Sequence, residues 1–146
     1  MQTILLIRHA SAKDREKWSQ EDQLRPLTPA GHRQAQAIAE ELAQVKIKQI
    51  RSSPAVRCVQ TVEPLASRAK LKMHIDQKLM EGSEFPLPHT SEHGLHIYCA
   101  HGDNIPALLA DLGIECDQCK KGSIWMIKRD DAGEITEVSY VQPPPN

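Results

Sequence analysis

A chain of 146 residues has the length of one ordinary domain, and with aromatic residues at only 3% its core must be filled by aliphatic side chains. Its 18 basic and 19 acidic residues give a formal net charge of −1, so no basic field indicates a nucleic acid or a membrane surface as partner. Without a membrane-length apolar run or the residue order of a signal peptide, the sequence predicts a cytoplasmic protein.

The first predicted strand ends in two polar side chains of chemical interest. Residues 3–7 form an uninterrupted apolar run, typical of a strand buried on both faces of a parallel sheet, and Arg8 and His9 follow it directly. Ligands of open α/β sheets bind at the carboxyl ends of the strands. The polar segment 10–25 comes next, and we expect it to form a long loop over that edge.

Capping signals predict two helices with a strand between them. Thr28 caps a helix that begins at Pro29, residues 47–52 form a strand, and Ser53 caps a second helix that begins at the following proline. Arg57 then lies in the first turn, where the helix dipole disfavours a cation by about 0.3 to 1 kcal/mol. A bound anion removes that conflict, so Arg57 indicates a phosphate site.

The second half of the chain completes the sheet, with these elements in order: an edge or penultimate strand over 71–75, an irregular functional or disordered connection over 76–94, a buried strand over 95–100, a helix capped by Asp103 and ended by Gly113, and a hairpin of strands 123–128 and 135–141. Strands that alternate with helices indicate a mostly parallel sheet. We therefore expect an α/β fold over residues 1–146, a single domain with flanking helices and a C-terminal antiparallel hairpin.

Four side chains are expected to share one pocket at the carboxyl edge of this sheet: Arg8, His9, Arg57 and His101. The motifs supply no balancing carboxylate, so the pocket favours phosphate and disfavours a metal ion. Neighbouring cations keep an imidazole neutral, and neutral imidazole is a competent nucleophile at phosphorus. One histidine would then attack phosphorus while the other groups hold the phosphoryl oxygens.

The leaving oxygen of such a reaction needs a proton, and a carboxyl group is the expected donor. Glu81, which follows the predicted edge strand, is the first candidate. Asp103 and Glu84 are weaker alternatives.

Three segments of the chain resemble the signatures of the histidine phosphatase superfamily, which shares its fold with the phosphoglycerate mutases. They are Leu-Ile-Arg8-His9-Ala, Ser52-Ser53-Pro-Ala-Val-Arg57-Cys-Val-Gln60-Thr61 and Ala-His101-Gly102, and they occur in the family's order. A fourth segment, Arg25-Pro26-Leu27-Thr28-Pro29-Ala-Gly31, resembles the small phosphohistidine phosphatase branch.

The resemblance implies that His9 is transiently phosphorylated and that Arg8, Arg57 and His101 bind the phosphoryl group. It also implies that neither a metal nor another cofactor is needed. Gly102, from the third segment, is expected to belong to the same substrate site.

Two residues after the first signature are candidates for contact with the distal part of a substrate. These are Ser11 and Lys13. The alternative is that Ser11 only shapes the turn and that Lys13 is solvated.

The connections of the chain are short, whereas large family members build a cap over the substrate from long insertions. We therefore expect no cap and no mutase activity, and an open site suited to protein phosphohistidine or another phosphorylated molecule. Segments 57–65, 101–106 and 121–125 also resemble the phosphatase half of Nudix and histidine phosphatase fusions, which adds nucleotide phosphates as substrates. A phospho-ligand binding module with little turnover is the alternative from another class.

The four cysteines give no strong signal for a metal or a disulfide. Cys58 and Cys99 fall in a helix and a buried strand, where a free thiol behaves as a small apolar group. Cys116 and Cys119 have the spacing of half a zinc site, but no second pair completes it, so we expect reduced thiols there.

Overall fold

The computed structural model describes residues 1–145, and the last residue of the predicted domain, Asn146, lies outside the described part. The regular elements are β1 (Gln2–Arg8), α1 (Pro29–Glu41), β2 (Gln49–Ser52), α2 (Val56–Ala69), β3 (His74–Ile75), β4 (Gly94–Ala100), α3 (Asn104–Asp111), β5 (Ile124–Arg129) and β6 (Ile135–Val141). Short 3-10 helices lie at Arg15–Lys17, Asp22–Leu24 and Gln77–Leu79. No helix within residues 1–145 is long and apolar enough to cross a membrane.

All strands join one six-stranded sheet in the order β3-β2-β4-β1-β5-β6. The strands from β3 to β1 are parallel, whereas β5 runs antiparallel to β1 and pairs with β6 as an antiparallel hairpin. The predicted α/β class, with a mostly parallel sheet and a C-terminal hairpin, is therefore confirmed. The strand that carries Arg8 occupies the middle of the sheet, between β4 and β5.

Alternate side chains of β1 fill two separate apolar layers. Leu5 and Ile7 pack with residues of α1 and α2, while Ile4 and Leu6 pack with α3 and with the connection that precedes β4. This alternation follows from the two-residue period of a strand. Helices and connection thus cover both faces, which explains why β1 is apolar without interruption.

The start of α1 is as predicted. The Thr28 hydroxyl accepts a hydrogen bond from the Gly31 amide at 3.1 Å, and Pro29 is the first helical residue. Ala35, Ile38 and Ala39 form the buried face.

The predicted start of α2 is wrong. The helix begins at Val56, its cap position is Ala55, and no side chain caps it. The Ser53 hydroxyl accepts from the Ala55 amide at 3.2 Å and lies 2.8 Å from a ring nitrogen of His101. The side chain predicted to cap the helix therefore belongs to the site at the sheet edge.

Asp103 occupies the predicted cap position of α3, but its side chain makes no capping hydrogen bond. Its Oδ2 accepts from the Gly82 amide at 2.8 Å instead, so the carboxylate ties α3 to the connection before β4.

That connection is ordered by the core. It buries Leu79 and Phe85, and the Asn104 amide donates to the carbonyl oxygen of Leu79 at 2.9 Å. The edge strand before it is shorter than predicted, since β3 covers only His74–Ile75, opposite the last two residues of the short strand β2. These contacts carry Glu81 to the sheet edge where β1 and β4 end.

Candidate active site

His9 leaves the end of β1 with one ring nitrogen engaged and the other free. Its amide donates to the Ala100 carbonyl at the end of β4, and its Nδ1 lies 2.9 Å from the Ala10 carbonyl oxygen. A carbonyl oxygen only accepts, so Nδ1 carries the proton. The lone pair is therefore on Nε2, which can act as a nucleophile.

The charge state of His9 suits that role. The side chain is only 4% exposed, and burial lowers its pKa to about 3. The charges of Arg57, His101 and Arg8 act in the same direction. His9 is therefore neutral near pH 7, with its nucleophilic lone pair available.

His101, at the end of β4, faces His9 edge-on with the ring centroids 5.5 Å apart. Its Nε2 lies 2.8 Å from the Ser53 hydroxyl, and its Nδ1 has no hydrogen-bond partner among residues 1–145. The hydroxyl proton of Ser53 has two acceptors within reach, His101 Nε2 at 2.8 Å and Met80 Sδ at 3.5 Å, and we assign it to the nearer and stronger one, His101. Nδ1 of His101 then carries a hydrogen that can be donated to a bound anion.

Arg57 is completely buried near the amino end of α2. Its Nη1 donates to the Asp22 carbonyl oxygen at 2.9 Å, and its Nη2 donates to the Asp22 carboxylate at 3.0 Å. Its Nε has no partner in the described part of the chain. Asp22 thus fixes one side of the guanidinium and leaves the Nε hydrogen for another acceptor.

Arg8 is held by a hydrogen bond to a backbone carbonyl and by packing against Gly102. Its Nη1 donates to the Cys119 carbonyl at 2.7 Å, and its Nε also lacks a partner among the described residues. A Cβ atom at Gly102 would lie 2.5 Å from Arg8 Cζ. The third signature therefore needs glycine because the guanidinium occupies the space beside it.

Buried nitrogens without partners are concentrated around His9. Four buried polar side-chain atoms of residues 1–145 lack a hydrogen bond, and three of them belong to Arg8, Arg57 and His101. A buried donor left unpaired costs about 1–3 kcal/mol, so native proteins rarely leave such a group without a purpose. The three nitrogens fit the three non-bridging oxygens of a phosphoryl group attached to His9.

Glu81 lies at the edge of this group of donors. Its Oε1 is 3.8 Å from Arg57 Nη2 and 4.0 Å from His101 Nδ1. Arg15 donates to both carboxylate oxygens, at 3.1 and 3.3 Å. The structure thus places Glu81, the predicted proton donor, beside Arg57 and His101, whereas Glu84 is exposed and Asp103 is bonded to Gly82.

The loop after β1 supplies residues that the sequence reasoning missed. Asp22 forms ion pairs with Arg15 at 3.3 Å, Arg25 at 2.9 Å and Arg57 at 3.0 Å. Burial acts to raise the pKa of Asp22, but the hydrogen bond from Arg25 and the neighbouring arginines lower it overall. The sequence offered one signal for Asp22, which is that it lies three residues before Arg25, the first residue of the segment that resembles the small phosphohistidine phosphatase branch.

The two candidates for distal substrate contact are placed differently. Lys13 lines the open pocket of about 660 Å³ that contains Arg8, His9 and Glu81. Ser11 is not among the residues that line it, and its backbone amide donates to the Gln34 side chain while its carbonyl accepts from Thr28. The backbone of Ser11 therefore anchors the loop to α1, whereas Lys13 lies on the pocket wall.

All four cysteines are free, and Cys119 contributes its carbonyl rather than its thiol to the site. Within residues 1–145, no three His, Cys, Asp or Glu side chains are grouped so that they could hold a metal ion.

A neutral histidine at the end of a central parallel strand, surrounded by two arginines and a second histidine, is typical of histidine-type phosphatases. The chain belongs to the histidine phosphatase superfamily (branch 1), whose family model matches residues 4–84, more than half of the chain. The family predicted from the four segments is therefore confirmed. The match includes His9, Arg57 and Glu81, and the third signature lies beyond it.

One curated relative is an 8-oxo-(d)GTP phosphatase from Mycolicibacterium smegmatis, 28% identical over 158 residues. The alignment covers 97% of this chain but 48% of the relative, so the chain spans about half the length of that protein.

Solved structures share the fold. The protein histidine phosphatase SixA, complexed with tungstate, superposes with a TM-score of 0.78 at 20% identity, over 97% of each chain. A phosphoserine phosphatase from Entamoeba histolytica, in complex with 3-phosphoglyceric acid, gives a TM-score of 0.75 at 17% identity, over 97% of this chain and 98% of the other.

Proposed function

We propose that this protein is a metal-independent phosphatase that works through a phosphohistidine on His9, with residues 1–146 as its single phosphatase domain. The observation that carries the proposal is the set of three buried, unpartnered nitrogens around a neutral imidazole in residues 1–145. Family membership supports the same reaction class.

In the first step, Nε2 of His9 attacks phosphorus, and the bond from phosphorus to the leaving atom breaks. Arg8, Arg57 and His101 hold the non-bridging oxygens, and the positive charge of the two arginines together with the hydrogen bond from His101 stabilises the transition state without a metal ion. Glu81, when protonated, gives its proton to the leaving atom.

In the second step, water attacks the phosphohistidine and the phosphorus–nitrogen bond breaks. The electron pair returns to Nε2 of His9, and Glu81, now ionised, takes a proton from the water. Free phosphate leaves, and His9 and Glu81 return to their starting states.

For the substrate, we propose protein phosphohistidine or another phosphorylated molecule that reaches the pocket from open solvent. The pocket of about 660 Å³ is lined by loop residues without a cap domain over it. The likeness to a protein histidine phosphatase in the same fold supports this substrate class.

Nucleotide phosphates are the second candidate. They are favoured by the relative from M. smegmatis, an 8-oxo-(d)GTP phosphatase. The basic residues on the pocket wall suit a substrate with several phosphates, and these residues are Arg8, Lys13, Arg15, Arg25 and Lys121.

The test is detection of the covalent intermediate. The protein is mixed with phosphoimidazole or p-nitrophenyl phosphate, quenched rapidly, and its intact mass is measured. We expect an acid-labile, base-stable phosphate on the parent and on a His32→Ala control, because His32 is exposed on α1, and none on His9→Ala. Phosphate binding without adduct or turnover would instead support a binding module.

A further inference from the structure

The segment before β5 brings an additional lysine to the pocket. The Gly122 amide donates to the carbonyl oxygens of Arg8 and His9, each at 3.0 Å, and Arg8 donates back to the Cys119 carbonyl at 2.7 Å. These hydrogen bonds hold residues 119–122 against the strand end that carries the nucleophile. Lys121 consequently lies on the same pocket wall as Arg8 and His9.

Lys121 is a cation for which residues 1–145 provide no ion-pair or hydrogen-bond partner. The arginines nearby do have partners, since Arg15 and Arg25 share the carboxylate of Asp22. The other lysine of the wall, Lys13, has its Nζ 5.8 Å from the centre of the Trp18 ring. Of the two lysines, Lys121 is therefore the one available to a ligand.

The surroundings of Lys121 carry excess positive charge. Lys121 is exposed, and its partial desolvation and the charges of Arg8, Arg25 and Arg15 lower its pKa, while the charge of Asp14 acts to raise it. The three unpartnered nitrogens can bind one phosphoryl group on His9. A second anionic group beside Lys121 would balance the positive charge of the pocket that the first phosphoryl group does not neutralise.

We propose that Lys121 binds a second phosphate, joined through a bridging oxygen to the phosphoryl group that His9 attacks. The substrate class is then that of pyrophosphate-linked compounds, nucleoside diphosphates among them. This inference rests on the proposed function, and it makes Lys121 the residue that selects diphosphates over simple monoesters.

The chemistry of a phosphate leaving group fits this arrangement. As Nε2 of His9 forms its bond to the terminal phosphorus, the bond from that phosphorus to the bridging oxygen breaks. The electron pair stays on the bridging oxygen, which departs as part of the second phosphate. Because a phosphate group has a pKa of about 6, it needs no proton at that moment, and the Lys121 ammonium balances the new charge. Glu81 can then remain the carboxylate that Arg15 binds.

Binding of stable analogues tests the subsite directly. Calorimetry compares methylenediphosphonate with methylphosphonate on the parent, Lys121→Met and Lys120→Met. Lys120 is the matched control because it is exposed and does not line the pocket. We expect the diphosphonate to bind the parent and the control about tenfold more tightly than the monophosphonate, and the ratio to fall to about one in Lys121→Met. An unchanged ratio in Lys121→Met overturns the proposal.

Turnover distinguishes failure of the subsite from failure of the proposed function. Lys121→Met should lower kcat/KM about tenfold more for adenosine diphosphate than for p-nitrophenyl phosphate, whereas Lys120→Met should leave the ratio of the two at the parent value. Equal losses on both substrates refute a role in diphosphate selection. If His9 never carries phosphate but the binding ratio still depends on Lys121, the phosphatase mechanism is wrong and the diphosphate subsite stands.

Discussion

Asp22 holds Arg57 by two acceptors at once, its carboxylate at 3.0 Å and its own carbonyl oxygen at 2.9 Å. Each terminal nitrogen of the guanidinium thereby donates one of its two hydrogens to the loop, while Nε has no partner among residues 1–145 and is available to a bound anion. A negative charge beside a phosphate site weakens ground-state binding through repulsion. We explain the position of the Asp22 carboxylate by its effect on Arg57, because the correct orientation of the guanidinium benefits the reaction more than the added repulsion harms substrate binding.

We predict opposite effects of Asp22→Ala on binding and on chemistry. Loss of the carboxylate removes repulsion, so KM should not rise, but Arg57 loses its orientation and kcat should fall about tenfold or more. Steady-state kinetics measure both constants, and Glu21→Ala is the control because its side chain is exposed. A rise in KM at constant kcat would contradict the positioning role.

Ser53 sets the proton position on His101, so Ser53→Ala should slow phosphorylation of His9 by about tenfold. Nitrogen NMR of the imidazole should show a change of tautomer, which simple loss of packing would not produce. Ser52→Ala is a matched control, because Ser52 is buried next to it but bonds to a backbone carbonyl. Equal effects of the two substitutions would show that the Ser53 hydroxyl has only a packing role.

Gly102→Ala should displace the Arg8 guanidinium, because the added methyl group would lie 2.5 Å from its Cζ. We expect a loss of about 10²-fold in kcat/KM, comparable with removing one oxyanion donor. A double-mutant cycle with Arg8→Ala tests the cause. In the Arg8→Ala background, Gly102→Ala should cost nothing further, and full additivity of the two losses would refute the contact.

The buried neutral state of His9 should make the fold sensitive to acid. Its pKa is about 3 in the folded protein, against an ordinary value of 6.5. Between these values the unfolded chain binds a proton that the folded chain does not, so the free energy of unfolding falls as the pH is lowered through that window. The slope is about 1.4 kcal/mol per pH unit from this group, and its contribution is complete above pH 6.5.

His9→Gln removes this term. Urea unfolding at steps across the window should therefore show a pH dependence shallower by about one proton than that of the parent. Parallel pH profiles for the two proteins would show that His9 is protonated in the fold at those pH values.

Glu81→Gln should separate substrates by their leaving groups. An aliphatic phosphate ester needs a proton on its leaving oxygen, so its turnover should fall by about 10²-fold or more. p-Nitrophenyl phosphate, whose leaving group is a better one, should lose much less. Glu84→Gln is the control, since Glu84 is exposed. An equal loss on both substrates would contradict acid catalysis by Glu81.

The four residues proposed to bind the phosphoryl group could be predicted to lie together because each is at or near the end of a regular element. Arg8, His9 and His101 lie at the ends of apolar strands, and Arg57 lies in the first turn of a helix. The apolar pattern locates these elements, and the carboxyl ends of parallel strands meet at one edge of the sheet, so all four residues are expected there. The predicted start of α2 is wrong because Ser53, although serine is a common capping residue, directs its hydroxyl to His101 instead.

The residues that surround and orient these four side chains could not be predicted in the same way. Arg15 and Asp22 lie in short 3-10 helices after β1 and Lys121 lies in a loop, and in such segments no long-range periodicity fixes the backbone, so position depends on contacts far along the chain. The polar composition of segment 10–25 predicts a long loop over the sheet edge, but not that its Asp22 carboxylate reaches a completely buried arginine.

The central position of β1 also governs when the protein can acquire its site during synthesis. The strand precedes both of its neighbours, β4 and β5, along the chain, and Gln2 is paired with Gly94 on one side and Arg129 on the other. The chain must leave the ribosome as far as Ala100 before β4 can cover one edge of β1, and as far as Arg129 before β5 can cover the other. Such distant pairing slows folding, and an apolar strand with open edges invites pairing with other chains. The segment that bears the nucleophile is thus also the one that most exposes the nascent chain to aggregation.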